Sequence, residues 1–130
     1  MVIMPMEEYL MPMGTLNALK YQDQSTRQAI TNSIVMVLPD TMNYENVNSL
    51  RDFLTHFFST HAPEILLFDL SNVHIMDSRG LGVILYAIRT AAMRQIKVMF
   101  CGRPNHRVAD LISLAKLKTF NSYYGHSMSA

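Results

Sequence analysis

Ile75-Met76-Asp77-Ser78-Arg79-Gly80-Leu81-Gly82-Val83-Ile84-Leu85 follows closely on an apolar run from Ile65 to Leu70. That run is short, continuous and rich in Ile, Leu and Phe, the pattern of a strand buried on both faces. Beyond it the period changes. Leu81, Ile84, Leu85, Ile88, Ala91 and Ala92 recur at helical spacing, to about Gln95. Asp77 and Ser78 stand at the junction, and both are good helix caps. The chain is therefore predicted to leave a strand, turn through Asp77-Ser78 and enter a helix at Gly80 or Leu81. A hydroxyl at such a junction is expected beside several unpaired backbone N–H groups and the positive end of the helix dipole. That setting accepts a phosphate, which carries about −1.5 to −2 charges at neutral pH. Capping alone is the plainer role for the same pair, and these residues by themselves leave both open.

The neighbouring segments extend the same alternation. Ile30 to Leu38 reads as a central strand that stops at Pro39-Asp40, with Leu16 to Tyr21 as an edge strand paired to it in a hairpin. Thr41 to Asn46 is a turn in which Thr41 and Asn43 are candidate caps. Val47, Leu50, Leu54, Phe57 and Phe58 then mark a helix to about Thr60. His56 and His61 near its end fit a dipole or solvent role. Lys97 to Cys101 is a further strand, Val108, Leu111, Ile112 and Ala115 a further helix, and Leu117 to Phe120 a last edge strand. This order predicts an α/β fold: a mixed sheet with a parallel core and an N-terminal antiparallel pair, packed with amphipathic helices. A Met-rich leader over residues 1–14 and a polar tail over 121–130 are expected to flank a domain at 15–120. In such a sheet the loops at the carboxyl ends of the parallel strands share one rim. Here these are Pro39–Asn43, Ser71–Arg79 and Gly102–His106.

Composition narrows the function. The 130 residues are 49% hydrophobic and 16% charged, with a formal net charge of +1. The basic residues are scattered, so neither a nucleic acid nor an acidic membrane surface has an electrostatic reason to bind. No apolar run approaches the roughly 18 residues of a membrane span. Cys101, the one cysteine, has no disulfide partner and no companions at metal-ligand spacing, which fits a reducing cytoplasm and no metal. Ser78 lacks the G-x-S-x-G elbow of a hydrolase, and Gly80-x-Gly82 lacks the rest of a dinucleotide fingerprint. His74, near in sequence, reads as a loop residue. Asp40 and Asp69 are the nominal acids that could pair with Asp77, with nothing to fix their separation. No enzyme activity and no cofactor are expected.

The run Leu67 to Leu85, with its Asp77-Ser78-Arg79-Gly80-Leu81-Gly82 core, resembles the signature of STAS domains, especially the bacterial anti-sigma factor antagonists. Val98 to Cys101, Pro104, Val108, Leu111 and Leu114-Ala115-Lys116-Leu117 continue the likeness downstream, and Ile34–Leu38 with Val47–Leu50 upstream. It spans about Leu16 to Phe120. The resemblance implies that Ser78 is a phosphorylation site and Asp77 its neighbouring carboxylate. It further implies partners: an anti-sigma factor, usually a GHKL-type serine kinase, bound by the unphosphorylated form, and a PP2C-type phosphatase that reverses the modification. It leaves a homodimer open. Asn43 stands where these antagonists usually have an acid, Arg79 where they have a small residue, and Lys116 where they have glycine.

Two classes of function follow. One is a phospho-switchable binding module acting through Ser78. The other is a constitutive STAS scaffold, a subunit of a stressosome-type or lipid-transport complex. In either case the partner surface is expected to combine Asn43, Asp77, Ser78 and Arg79 with Tyr86, Arg89 and Met93. The last three are expected outward because Leu81, Ile84, Leu85, Ile88 and Ala92 must face the sheet.

Overall fold

Four short strands make the main sheet of the computed structural model, which describes residues 2–10 and 32–114. They are β1 (Val2–Pro5), β2 (Ser33–Val37), β4 (Ile65–Asp69) and β6 (Lys97–Cys101), in the order β1-β2-β4-β6. β1 runs antiparallel to β2, and β2, β4 and β6 are parallel, with Val35 beside Leu67 and Leu67 beside Met99. Two residues each from β3 (Thr41–Met42) and β5 (Ile75–Met76) form a second, parallel ladder. The helices are α1 (Met6–Leu10), α2 (Val47–Thr60), α3 (Ser78–Met93) and α4 (His106–Leu114). None among the described residues is long and apolar enough to cross a membrane.

The period of two along each strand divides the core. Met36, Leu66, Phe68, Val98 and Phe100 face α2, α3 and α4, and pack with Leu54, Phe57, Phe58, Ile84, Val108 and Ile112. Val35, Leu67 and Cys101 point the other way and are covered by Met6 of α1. Burying a Phe, Leu or Ile contributes about 1.5–3 kcal/mol each. An exposed ion pair such as His74–Asp40 contributes about 0–1 kcal/mol, so the apolar layers hold the fold.

The antiparallel partner of β2 comes from the segment read as a leader. Val2 to Pro5 pair with Val37 to Ile34, and Met6 is 3% exposed. The expected strands Leu16–Tyr21 and Leu117–Phe120, residue Lys116 and the tail 121–130 lie outside the described residues. α3 begins at Ser78 rather than at Gly80 or Leu81, because the carboxylate of Asp77 caps it. It ends near the expected place. Gln95, at φ 60°, closes the helix: its N–H bonds the Ala92 carbonyl, and the N–H of Ile96 bonds that of Ala91. Ala92, expected inward, is exposed. The sheet-facing stripe is Gly80, Val83, Ile84, Ala87 and Ala91.

Candidate functional site

The three loops expected to share a rim do so, and they are laced together by hydrogen bonds. The carbonyl of Asp40 accepts from the N–H of His74 and of Ile75, and that of Met42 from the N–H of Asp77. Asn105 closes the third side, its amide donating to the His74 carbonyl at 3.0 Å. Asp40 Oδ1 and His74 Nδ1 lie 2.5 Å apart. Asp69 sits elsewhere, 7% exposed, accepting from the Tyr9 hydroxyl at 2.9 Å and from the Ser71 N–H at 2.8 Å. Asp77 therefore has neither Asp40 nor Asp69 as a partner, and His74 is engaged with Asp40. Among the described residues no group of three or more His, Cys, Asp or Glu is placed to hold a metal ion.

Asp77 organises the centre. Its backbone is extended, at φ −111° and ψ −175°, which turns the side chain back over the helix start. Oδ1 accepts from the N–H of Arg79 at 2.9 Å and of Gly80 at 3.0 Å, and Oδ2 from the N–H of Tyr44 at 3.1 Å. These bonds favour the charged carboxylate. The one from Gly80 is foremost, and the carboxyl is held below its ordinary value of 3.8. Ser78 occupies the first helical position, exposed to solvent. Its hydroxyl has no hydrogen-bond partner among the described residues. The sequence expectation of several unpaired N–H groups beside it needs correction, because Asp77 already takes those of Arg79 and Gly80.

Arg79 is exposed, its guanidinium carbon 6.0 Å from the centre of the Tyr44 ring. Asn43 is a turn builder. Its Oδ1 accepts from the Glu45 N–H, its carbonyl from those of Asn46 and Val47, and its own N–H donates to Asn46 Oδ1. Neither Thr41 nor Asn43 is the N-cap residue of α2. Thr41 is held in β3, and Asn46 takes that position without a side-chain cap bond, its amide donating instead to the Thr41 carbonyl.

The remaining expected site residues separate along α3. Tyr86 is half-buried at the seam with α2, not turned freely outward. Its hydroxyl lies 2.6 Å from Thr55 Oγ1, and the Arg51 guanidinium stands 4.4 Å over its ring. The Thr55 bond, followed by contributions from Thr90 and Arg51, holds its phenol below the ordinary range. Arg89 and Met93 are exposed, Met93 at 77%. Fifteen residues of helix put Met93 about 22 Å from Ser78. The structure thus gathers Asn43, Asp77, Ser78 and Arg79 and sets Met93 apart.

Sequence reasoning gave no role to Arg51 and singled out none of Tyr44, Asn46 and Asn105, although it placed these three in the Thr41–Asn46 turn and the Gly102–His106 rim loop. Isolated polar residues in turns carry no period, and two-residue strands such as β3 and β5 carry none either. Gly80 had a local signal, as a small residue at a helix start, but its partner, the Met42 backbone, lies 38 residues away.

Comparison with known proteins gives one family and a set of similar folds. The STAS domain family matches residues 24–130. The anti-sigma factor antagonist SpoIIAA in its unphosphorylated form is similar in structure. Its TM-score is 0.58 at 18% identity, over 65% of this chain and 73% of that one. The Bacillus cell fate determinant SpoIIAA in its phosphorylated form gives 0.54 at 16% identity, over 66% and 77%. A Thermotoga maritima protein described as a putative anti-sigma factor antagonist gives 0.55 at 20% identity, over 72% and 80%. No curated protein matches the sequence.

Proposed function

Because the chain belongs to the STAS domain family, we propose that it is a phospho-switchable binding module of the anti-sigma factor antagonist kind. In this reading the unphosphorylated Ser78 rim binds an anti-sigma factor or a GHKL-type serine kinase in the cytoplasm. Phosphorylation of Ser78 releases that partner, and a PP2C-type phosphatase restores binding. The role is recognition, not catalysis.

One observation carries the reading: the first position of α3 bears an exposed hydroxyl with no hydrogen-bond partner among the described residues, next to a carboxylate whose oxygens are already committed. A phosphate on Ser78 adds a dianion beside Asp77, and Asp77 cannot swing away without uncapping the helix. In the isolated domain, water and the helix dipole tolerate that charge. Under a docked partner they cannot, because desolvation strengthens the like-charge repulsion. That one of the similar structures is a phosphorylated SpoIIAA supports the same reading.

The test is incubation of the full chain with ATP and serine kinases of the GHKL type, followed by mass spectrometry. A single phosphate on Ser78, absent in Ser78→Ala, is the expected result. Ser78→Asp or Ser78→Glu should remain folded and bind the kinase at least about tenfold more weakly, or about 1.4 kcal/mol. Equal binding by the acidic variants would favour the constitutive scaffold instead.

A further inference from the structure

Near Ser78 an open groove of about 250 Å³ lies between the first turns of α2 and α3, lined by Val47, Asn48, Arg51, Arg79, Gly82 and Val83. Arg79 and Val83 share one stripe of α3, and Val47 and Arg51 one stripe of α2, each pair four residues apart. The floor is apolar and the lips are cationic. Neither arginine has a carboxylate at ion-pair distance among the described residues, where the ion pair is His74–Asp40. Asp77, nearest to Arg79 in sequence, spends both oxygens on backbone N–H groups and acts on the guanidinium only through space. The Tyr86 ring lies under the Arg51 guanidinium at 4.4 Å, and the Tyr44 ring centre is 6.0 Å from the guanidinium carbon of Arg79. Gly82 adds open space at the groove wall: a Cβ there would meet nothing within 4 Å, so a larger side chain has room to enter the groove.

Such a site is complementary to a carboxylate on an apolar stem. Guanidinium groups bind carboxylates through paired N–H donors, and an aromatic ring beneath one, as Tyr86 lies under Arg51, lowers the ordering cost of doing so. We propose that the groove receives a Glu or Asp side chain carried on an apolar segment of the protein that docks at the Ser78 rim, with Arg51 and Arg79 holding its carboxylate. This rests on the binding role proposed above and names the chemistry of the partner. It also gives the switch a direct route. Ser78 lies one turn before Gly82 on the same stripe of α3, so its phosphate stands at the groove mouth and competes with the incoming carboxylate for the same two cations.

The experiment uses the full ¹⁵N-labelled chain and three peptides, acetyl-Ala-Leu-X-Leu-Ala-amide with X as Glu, Gln or Lys, titrated by NMR to about 5 mM. The Glu peptide should shift the amides of Val47, Asn48, Gly82 and Val83 and bind about tenfold tighter than the Gln peptide. Arg51→Gln should erase that preference. Gly82→Leu should keep the spectrum of a folded protein and lose binding of the Glu peptide, and Ser78→Glu should weaken it. Equal binding of the three peptides, shifts confined elsewhere, no binding, or an unaltered preference in Arg51→Gln would each overturn the proposal. Its failure is separable from that of the switch. If Ser78 is phosphorylated and releases its kinase while the peptides ignore the groove, only the groove assignment falls. If the Glu peptide fills the groove and no kinase modifies Ser78, only the switch falls.

Discussion

A Cβ at Gly80 would stand 2.1 Å from the Met42 carbonyl oxygen, whereas one at Gly82 would meet nothing within 4 Å. The two glycines lie two residues apart in one helix, yet a methyl group should affect them in opposite directions. Gly80→Ala must push α3 off β3 and disturb the carbonyl that accepts from Asp77, costing about 1–3 kcal/mol. Gly82→Ala should stabilise by about 0.8–1 kcal/mol through helix propensity. Denaturant midpoints of the two variants check both signs. Asp77 makes the stability of the fold depend on pH. Its folded carboxyl titrates below the ordinary 3.8, so the charged form is the one that folding favours. The stability it supplies is present in full above the unfolded value and is lost as pH falls through the lower folded value. Asp77→Asn keeps a capping oxygen but turns its amide toward the Tyr44 N–H. The wild type should therefore be the more stable at neutral pH, and the gap should close as pH falls below about 4. Denaturation midpoints over that range measure it, and a gap unchanged with pH would assign the difference to shape alone.

At the scale of elements, α3 is fixed at both ends by backbone chemistry. Asp77 satisfies two of its first N–H groups. At the other end Gln95 adopts a left-handed conformation so that the Ala91 and Ala92 carbonyls are satisfied and Ile96 turns into the core, 6% exposed. A left-handed non-glycine residue costs about 1–2 kcal/mol. Glycine removes that cost, offset in part by its greater freedom in the unfolded chain. Gln95→Gly should stabilise by about 0.5–1 kcal/mol, read as a higher Tm with unchanged binding at the rim. Arg94 also joins this helix to α2, its Nη1 donating to the Phe58 carbonyl at 2.7 Å. The groove between α2 and α3 is thus bounded at the far end by a fixed contact, and its width near Ser78 depends on side chains rather than on helix drift.

For the molecule as a whole, the sheet has two apolar faces, and the second is closed by the N-terminal segment. Met6 seals Val35, Leu67 and Cys101, and Tyr9 reaches the buried Asp69. Burial pushes the Cys101 thiol up to about 12, so it should be inert at neutral pH. Removing residues 1–10 takes away the burial of Met6, about 1.5–3 kcal/mol, and a hydrogen bond to a carboxylate, also about 1.5–3 kcal/mol. The shortened chain should lose at least about 3 kcal/mol in denaturant unfolding, and Cys101 should react with a thiol reagent that leaves the full chain untouched. Full stability and an unreactive thiol in the shortened chain would show that other residues cover this face.

Residue order alone was enough to read β2, α2, β4, α3, β6 and α4 and the three loops that meet at the rim, but not the two-residue strands β3 and β5. Continuous apolar runs such as Ile65–Leu70, helical spacing such as Val47 to Phe58, and the Asp77-Ser78 junction are local signals, legible wherever one period continues for several residues. The likeness to STAS domains over Leu67–Leu85 rests instead on resemblance of one contiguous motif, Asp77 to Gly82, to the signature of a known family. Other features rest on which distant segments meet, and these follow from the packing of the folded chain. Val2–Pro5 is a strand because Ser33–Val37 offers an open edge, while four residues carry too little pattern to predict it. Asp77 withholds two N–H groups from Ser78 because its extended backbone folds the carboxylate back over the helix. Tyr86 is drawn into the seam because Arg51 and Thr55 of another helix stand opposite it. Arg51 and Arg79, 28 residues apart, face one groove for a like reason: the sheet brings the N-terminal ends of α2 and α3 side by side, a proximity that no periodicity along the chain records.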